Sequence, residues 1–155
     1  MTEVVSSVVE VCVFRMEGDR PVYLLLRRSD REPVYPGLWQ IVTGTVEPGE
    51  KGLDAAVREV REETGAVPER FWVVPFTHAF YDHRRDAVNI VPFFAARFPP
   101  ETHITLSEEH SRFEWLPFAA ARERLVWPGQ RNGLEIVEQY VVGGEEASRL
   151  IAVPL

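Results

Sequence analysis

The chain has 155 residues, of which 45% are hydrophobic and 26% are charged, and this composition is typical of one globular domain with a single core. Its 17 basic residues against 24 acidic residues give a net charge of -7, which argues against a nucleic-acid polymer as partner, because a polyphosphate backbone requires a broad basic surface. A small anion remains an acceptable ligand if metal ions and a few arginines accompany it.

The sequence predicts a cytoplasmic protein of one domain, residues 1–155. No apolar stretch approaches the roughly 20 residues that a membrane helix needs, and the N-terminus lacks the charged and apolar regions of a signal peptide. The lone cysteine, Cys12, cannot form an internal disulfide, and its apolar neighbours predict a core residue. A reducing compartment fits this cysteine usage.

The N-terminal part of the chain is predicted to form strands. Runs of β-branched and aromatic residues span 8–14 and 22–27, and the glycine-containing turn between them predicts a hairpin. A charged loop with two prolines follows at 29–37. It leads into a short strand at 38–42, which is expected to end near Gly44.

The periodicity then changes to that of a helix. Leu53, Ala56, Val57 and Val60 form one apolar stripe, and Gly65 has the position of a residue that ends a helix. Further strands are predicted at 71–77, 87–98 and 110–116, and further helices at 117–124 and 134–142.

The segment between Gly44 and Gly65 contains seven residues at fixed spacings. Between the two glycines lie Glu50, Arg58, Glu59, Glu62 and Glu63. At background frequencies near 7% per residue type, such a match is expected on the order of once in 10^8 starting points. The spacing therefore calls for a chemical reason.

On the predicted helix, Glu59, Glu62 and Glu63 lie at i, i+3 and i+4 and share one face. Each like-charged pair costs about 0.2–0.5 kcal/mol, and the helix dipole disfavours anions in the last turn by about 0.3–1 kcal/mol. A divalent cation would offset both costs, and carboxylate oxygens suit Mg2+. The alternative is a solvated glutamate face, against which Arg58 and the loop glycine Gly44 argue.

These residues resemble the Nudix box of the Nudix (MutT-like) hydrolase family. The matching positions are Gly44, Glu50, Arg58-Glu59-Val60, Glu62-Glu63 and Gly65-Ala66. The resemblance implies an α/β protein, an α/β/α sandwich with a mixed central sheet, in which the box binds Mg2+ or Mn2+. The implied reaction is hydrolysis of a nucleoside diphosphate linked to another group.

The resemblance also implies roles for single residues. Glu59, Glu62 and Glu63 would be metal ligands, and Glu50 with Arg58 and Gly65 would support the loop and helix. Glu109 is followed by His110 and lies six residues before Trp115. It resembles the acidic residue that many relatives have after the box, and it would be a further metal ligand. Glu62, Glu63 and Glu109 are all candidates for the general base, and the alternative for Glu109 is an exposed loop glutamate.

The segment before the box narrows the range of candidate substrates. Trp39-Gln40 and the threonines on both sides of Gly44 resemble the dihydroneopterin triphosphate pyrophosphatase branch, whose members also act on deoxynucleoside triphosphates. We expect water to attack a nucleotide or pterin triphosphate and release pyrophosphate. The candidate substrate-binding residues are Arg27, Arg28, Trp39, Gln40, Gly44 and Tyr81; neighbouring strand residues alternate, so one of the two arginines should face the cleft.

Two other functions stay open. Tyr81, beyond the box, suggests a dinucleoside polyphosphate hydrolase, and the fold is also reused by non-catalytic nucleotide-sensing domains. We expect a small-molecule partner rather than a nucleic-acid polymer or a membrane, and a homodimer is left open. His78, His83 and His103 show no ligand spacing and are interpreted as ordinary histidines.

Overall fold

In the computed structural model, which describes residues 1–155, helices cover both faces of a nine-stranded mixed sheet. The strands are β1 (Glu3–Val5), β2 (Val8–Glu17), β3 (Arg20–Arg28), β4 (Trp39–Gln40), β5 (Val42–Thr45), β6 (Arg70–Asp82), β7 (Ala87–Arg97), β8 (His110–Pro117) and β9 (Ala152–Val153). The helices are α1 (Gly52–Thr64), α2 (Phe118–Arg124), α3 (Pro128–Ile136), which continues as a π-helical segment (Val137–Val142), and α4 (Glu145–Ile151). None of these helices has both the length and the apolar character needed to cross a membrane.

The sheet has the order β4-β3-β2-β7-β6-β9, with β1 paired to β7, β5 to β2 and β8 to β3. The central pair β2 and β7 is parallel, as is the pair β1 and β7, and all other pairs are antiparallel. The predicted α/β/α sandwich with a mixed sheet is confirmed.

Strand β2 explains why the sandwich has two cores. Val9, Val11 and Val13 point to the side of α1, whereas Cys12 and Phe14 point to the side of α2, α3 and the π-helical segment. All five side chains are buried, as expected for a strand covered on both faces. Each fully buried apolar side chain of this size contributes about 1.5–3 kcal/mol. The prediction that Cys12 is a core residue is confirmed.

Helix α1 forms where the apolar stripe predicts it. Ala56 and Val60 are fully buried against the sheet, and Leu53 and Val57 are partly buried at the edge of the same core. Gly65 has a left-handed conformation with φ 68°, and its amide donates to the carbonyl of Arg61. Because a residue with a side chain rarely adopts this conformation, the glycine ends the helix.

Several boundaries differ from the prediction. The strand expected at 38–42 is divided at Ile41, because β4 pairs with β3 and β5 pairs with β2. The helix expected at 134–142 begins earlier, at Pro128, and its second half is π-helical. The sequence also gave no indication of β1, α4 and β9, which are short and depend on contacts with distant segments.

Candidate active site

Helix α1 carries three carboxylates, of which Glu59 and Glu63 contact β5. Glu59 and Glu63 are buried, with Glu63 only 1% exposed, whereas the side chain of Glu62 is 57% exposed. The first two lie four residues apart, beside the buried stripe of the helix, so the packing of α1 draws them under the neighbouring strand.

Gly44 allows β5 to pass directly over this row of carboxylates. A Cβ atom at position 44 would lie 2.0 Å from Cδ of Glu59, which is less than any real contact of this kind. A glycine is therefore required at position 44, because any side chain there would overlap the side chain of Glu59.

Arg58 ties the loop before α1 to the carboxylates of the helix. Its Nε and Nη2 donate to the two oxygens of Glu50 at 2.9 and 3.0 Å, and its Nη1 donates to Glu59 at 2.8 Å and Glu62 at 3.1 Å. Nη2 also donates to the carbonyl of Thr45 at 2.9 Å. All five N–H donors of the guanidinium are thereby used. Arg58 thus connects the loop that contains Glu50 to helix α1.

The acids of this region differ in their pKa values. Hydrogen bonds from Arg58, and then from the backbone amide of Glu47, lower the pKa of Glu50 to about 2. Burial instead raises the pKa of Glu63 well above its ordinary value, and the negative charges of Glu59 and Glu109 add to this effect. Burial also raises the pKa of Glu59, although Arg58 opposes it. The site therefore holds negative charge that the protein itself compensates only in part.

Glu109 reaches this cluster from the loop that precedes β8. One ligand atom each from Glu63, Glu109 and His110 lie within 4.8 Å of one another. Resemblance to the family suggested Glu109 as part of the site, and in the structure its carboxylate lies beside that of Glu63. His110 is buried, and this burial, with a smaller effect of Arg28, lowers its pKa to about 4.

Two cavities meet at these carboxylates and share Glu59 and Glu109. One has a volume of about 310 Å³ and no hydrophobic lining residue; it is lined by Glu59, Glu62, Glu63, Ser107, Glu108 and Glu109. The other has a volume of about 250 Å³ and is lined by Val8, Arg28, Glu32, Thr43, Gly44, Thr45, Glu59 and Glu109. We call the two together the acidic cleft.

The donor atoms of the acidic cleft fit a divalent cation. Oε1 of Glu63 is buried and has no hydrogen-bond partner in the protein, whereas Oε2 accepts from the amide of Thr43 at 3.3 Å. A buried carboxylate oxygen without a protein partner costs free energy, and the lone pairs that Glu63 still has free, with the exposed carboxylates of Glu62 and Glu109, suit a hard cation.

Only one of the two neighbouring arginines of β3 faces the acidic cleft. Arg28 lines it, and its guanidinium is held by the carbonyl of Val34 at 2.8 Å and by Glu32 at 3.2 Å. Arg27 contacts Asp30 and Ser111 instead. A register shift in the pairing of β3 with β8 lies between the two arginines. The sequence alone left this choice open.

Three further candidates do not line the acidic cleft. Trp39 is partly buried, with the guanidinium of Arg124 4.9 Å from its ring centre. Gln40 is buried, and Tyr81 lies exposed at the β6–β7 hairpin, where its hydroxyl donates to a carboxylate at 3.0 Å. Conversely, Glu32, Ser107 and Glu108 line the cleft without having been predicted; the only sequence signal was that Glu108 precedes Glu109.

The other histidines behave differently from one another. His83 and His103 are exposed, as expected of ordinary histidines. His78 is partly buried and contacts the carboxylate of Glu10, which also accepts a hydrogen bond from Gln130. No spacing in the sequence indicated this contact, because it joins β2, β6 and α3.

Comparison with known proteins places the chain in a family. A family model described as "NUDIX domain" matches residues 6–136. The chain is 35% identical over 131 residues to an octanoyltransferase of Myxococcus xanthus, a match that covers 80% of this chain and 34% of that protein, so the chain spans about a third of that relative's length. It is 31% identical over 101 residues to the nucleoside triphosphatase NudI of Escherichia fergusonii, covering 61% of this chain and 72% of NudI.

Solved structures show the same fold. The E. coli dihydroneopterin triphosphate pyrophosphohydrolase superimposes with a TM-score of 0.71 at 27% identity and covers 90% of this chain and 99% of its own. An Ap4A hydrolase from C. elegans in a binary complex has a TM-score of 0.75 at 21% identity, with 92% and 99% covered. The second likeness shows the fold alone.

We predict that Arg58→Lys destabilises the protein although it keeps the positive charge. Lysine has three donors and no planar fork, so it cannot serve Glu50, Glu59 and Thr45 together. The free energy of unfolding in urea should fall, because the buried carboxylate of Glu59 and the acceptors of the loop lose donors that lysine cannot replace together. Amide protons of residues 45–47, 49 and 50 should also exchange faster. Arg61→Lys, on the exposed side of the same helix, is the control and should change neither. Equal stability of the two variants would contradict this role of Arg58.

We predict that Glu63→Gln stabilises the protein in chelator at neutral pH. Because burial raises the pKa of Glu63 above the ordinary value of 4.5, the folded state holds a proton that the unfolded chain releases. The free energy of unfolding should therefore fall as the pH rises above about 4.5. The variant should lose this dependence and be more stable than the parent at pH 7.5, with a smaller difference near pH 5.

The exposed neighbour Glu62→Gln is the matched control and should change stability little at any pH. Thermal or urea unfolding from pH 5 to pH 8 measures both variants. A Glu63→Gln protein less stable than the parent over this whole range would rule out a destabilising buried charge.

Proposed function

The chain belongs to the NUDIX domain family, and from this membership and the acidic cleft we propose that it is a Mg2+-dependent nucleoside or pterin triphosphate pyrophosphohydrolase. In this proposal residues 1–155 form one Nudix domain. The observation that carries it is the convergence of Glu59, Glu63 and Glu109 on one polar cleft, with Arg28 on its wall.

The charge of the cleft supports a metal-dependent reaction on an anion. A triphosphate would be repelled by a cleft lined mainly by glutamates unless cations stood between them. We propose that Glu59, Glu62, Glu63 and Glu109 hold Mg2+ or Mn2+. When bound, such an ion neutralises phosphate oxygens and makes a water more nucleophilic.

The chain's own residues would orient the reacting groups. Arg58 holds Glu59 and Glu62 in place, and Glu50 anchors Arg58. Arg28, already oriented by Val34 and Glu32, presents its guanidinium at the cleft wall, where it would donate to phosphate oxygens. Phosphoryl transfer depends largely on such positioning and charge stabilisation.

Exposure and hydrogen bonding together separate the three candidates for the general base. Glu63 is buried and already accepts the Thr43 amide, and Glu62 is held by Arg58. Glu109 is exposed and lines both cavities, so a water can reach it from either side. We therefore propose Glu109 as the base, with Glu62 as the alternative.

A triphosphate substrate is supported by the relatives. NudI is a nucleoside triphosphatase at 31% identity, and the E. coli structure at 27% identity is a dihydroneopterin triphosphate pyrophosphohydrolase. The octanoyltransferase name does not bear on this chain, because the chain matches about a third of that protein. Cys12, the only cysteine, is buried in the core, so the acidic cleft offers no thiol nucleophile.

We predict pyrophosphate and a monophosphate as products when a panel of nucleoside and pterin triphosphates is incubated with Mg2+. Glu63→Gln should lower turnover by several orders of magnitude, while the exposed control Glu146→Gln should keep the parental rate. Pyrophosphate and orthophosphate are measured separately. Formation of ATP from a dinucleoside tetraphosphate would favour the dinucleoside polyphosphate hydrolase, and binding without turnover would favour a nucleotide sensor.

We also predict that Arg28→Gln and Arg27→Gln differ, although the residues are neighbours. Loss of a charge-assisted hydrogen bond to phosphate costs about 1.5–3 kcal/mol, so Arg28→Gln should raise KM about tenfold or more. Arg27→Gln should leave KM nearly unchanged, because Arg27 binds Asp30 away from the cleft. Steady-state kinetics on the best substrate measures both. Equal effects would contradict the assignment of Arg28 to the phosphates.

A further inference from the structure

His110 is buried directly behind the acidic cleft. It is the first residue of β8, it is 4% exposed, and one of its ring nitrogens belongs to the group with Glu63 and Glu109 whose ligand atoms lie within 4.8 Å. An imidazole buried beside two carboxylates must direct either a proton or a lone pair toward them. A proton directed toward the carboxylates stabilises their negative charge, whereas a lone pair repels it.

Gln40 determines which nitrogen carries the proton. Its side-chain Nε2, which can only donate, lies 3.1 Å from Nε2 of His110, and Gln40 is itself 5% exposed. With the Gln40 amide in this orientation, Nε2 of the histidine accepts. A neutral imidazole that accepts at Nε2 carries its proton at Nδ1.

The proton at Nδ1 has no acceptor in the protein, and Glu63 has a carboxylate oxygen that has no donor. Nδ1 of His110 and Oε1 of Glu63 are both buried and both without a hydrogen-bond partner. A buried donor and a buried acceptor that each lack a partner are complementary, and leaving both unsatisfied costs free energy. The other oxygen of Glu63 is already occupied by the Thr43 amide.

We propose that His110 is a positioning residue which, held in the Nδ1–H tautomer by Gln40, donates a hydrogen bond to Oε1 of Glu63. The donation reaches Glu63 through one bridging water, because no direct hydrogen bond joins the two side chains. It orients the carboxylate, stabilises its negative charge, and leaves its remaining lone pairs for a divalent cation. This role of His110 rests on the proposed function, because only a metal-dependent reaction gives the bound cation a purpose. Outer hydrogen bonds of this kind typically contribute 10–100-fold to metal affinity.

Two amide substitutions at position 110 separate this role from simple packing. The amide nitrogen of asparagine can occupy the place of Nδ1, whereas that of glutamine reaches the place of Nε2. His110→Asn should therefore keep Mn2+ affinity within about threefold of the parent, and His110→Gln should lose 10–100-fold. His103→Gln, which removes an exposed imidazole, is the control and should match the parent. Mn2+ binding is measured by calorimetry, without substrate.

The tautomer is tested on the unmodified chain, so the proposal stays testable even if a variant does not fold. In a 15N-resolved NMR spectrum of the imidazole nitrogens, His110 should show a protonated Nδ1 and an unprotonated Nε2. Gln40→Glu should reverse this pattern, because a carboxylate accepts from Nε2–H, and should weaken Mn2+ binding.

A protonated Nε2 in the parent chain would overturn the proposal, as would equal Mn2+ affinity in His110→Asn and His110→Gln. These outcomes are distinct from failure of the proposed function. If the chain binds Mn2+ with the expected tautomer but hydrolyses no triphosphate, the role of His110 stands and the proposed reaction falls. If it hydrolyses triphosphates with the other tautomer, the reverse holds.

Discussion

The acidic cleft depends on the hydrogen bonding of one guanidinium. Arg58 uses all its N–H groups on acceptors from the loop before α1 and from the helix itself. Without it, Glu59 and Glu62 would repel each other, and the helix dipole disfavours Glu62 in the last turn as well. The same contact fixes the loop, through Glu50 and Thr45, so the position of the carboxylates and the course of the backbone are set together. This explains why the arginine and the first glutamate of the motif, eight residues apart, belong to one unit.

Arg58 compensates only part of the negative charge. Glu63 lies deeper than the guanidinium reaches and keeps one oxygen without a protein partner, and Glu109 adds a further charge from another segment. A fold selected for stability alone would place apolar side chains in such a position. The free-energy cost of keeping these carboxylates buried is typical of a site that binds a charged ligand. Membership of the NUDIX domain family supports the same interpretation.

The sheet brings these groups together from distant parts of the chain. Strand β5 lays Thr43 and Gly44 across α1, and β8 begins at the point where Glu109 and His110 enter the cluster. Gln40 on β4 and His110 on β8 both flank β3, so their hydrogen bond crosses a strand that also carries Arg28. The ends of three strands thus supply the wall of the cleft, and α1 supplies its floor.

What the sequence determined by itself was local. The helix from Gly52 to Thr64 and its charged face follow from spacing, because residues three and four apart on a helix are neighbours wherever the helix lies. Glu109 could be associated with this face only by resemblance to relatives. The tertiary structure alone decided that Arg28 rather than Arg27 faces the cleft, that Gln40 is buried against His110, and that Tyr81 lies elsewhere. Those outcomes depend on strand register and on an irregularity between two strands, and register is set by pairing with distant segments that no local pattern records.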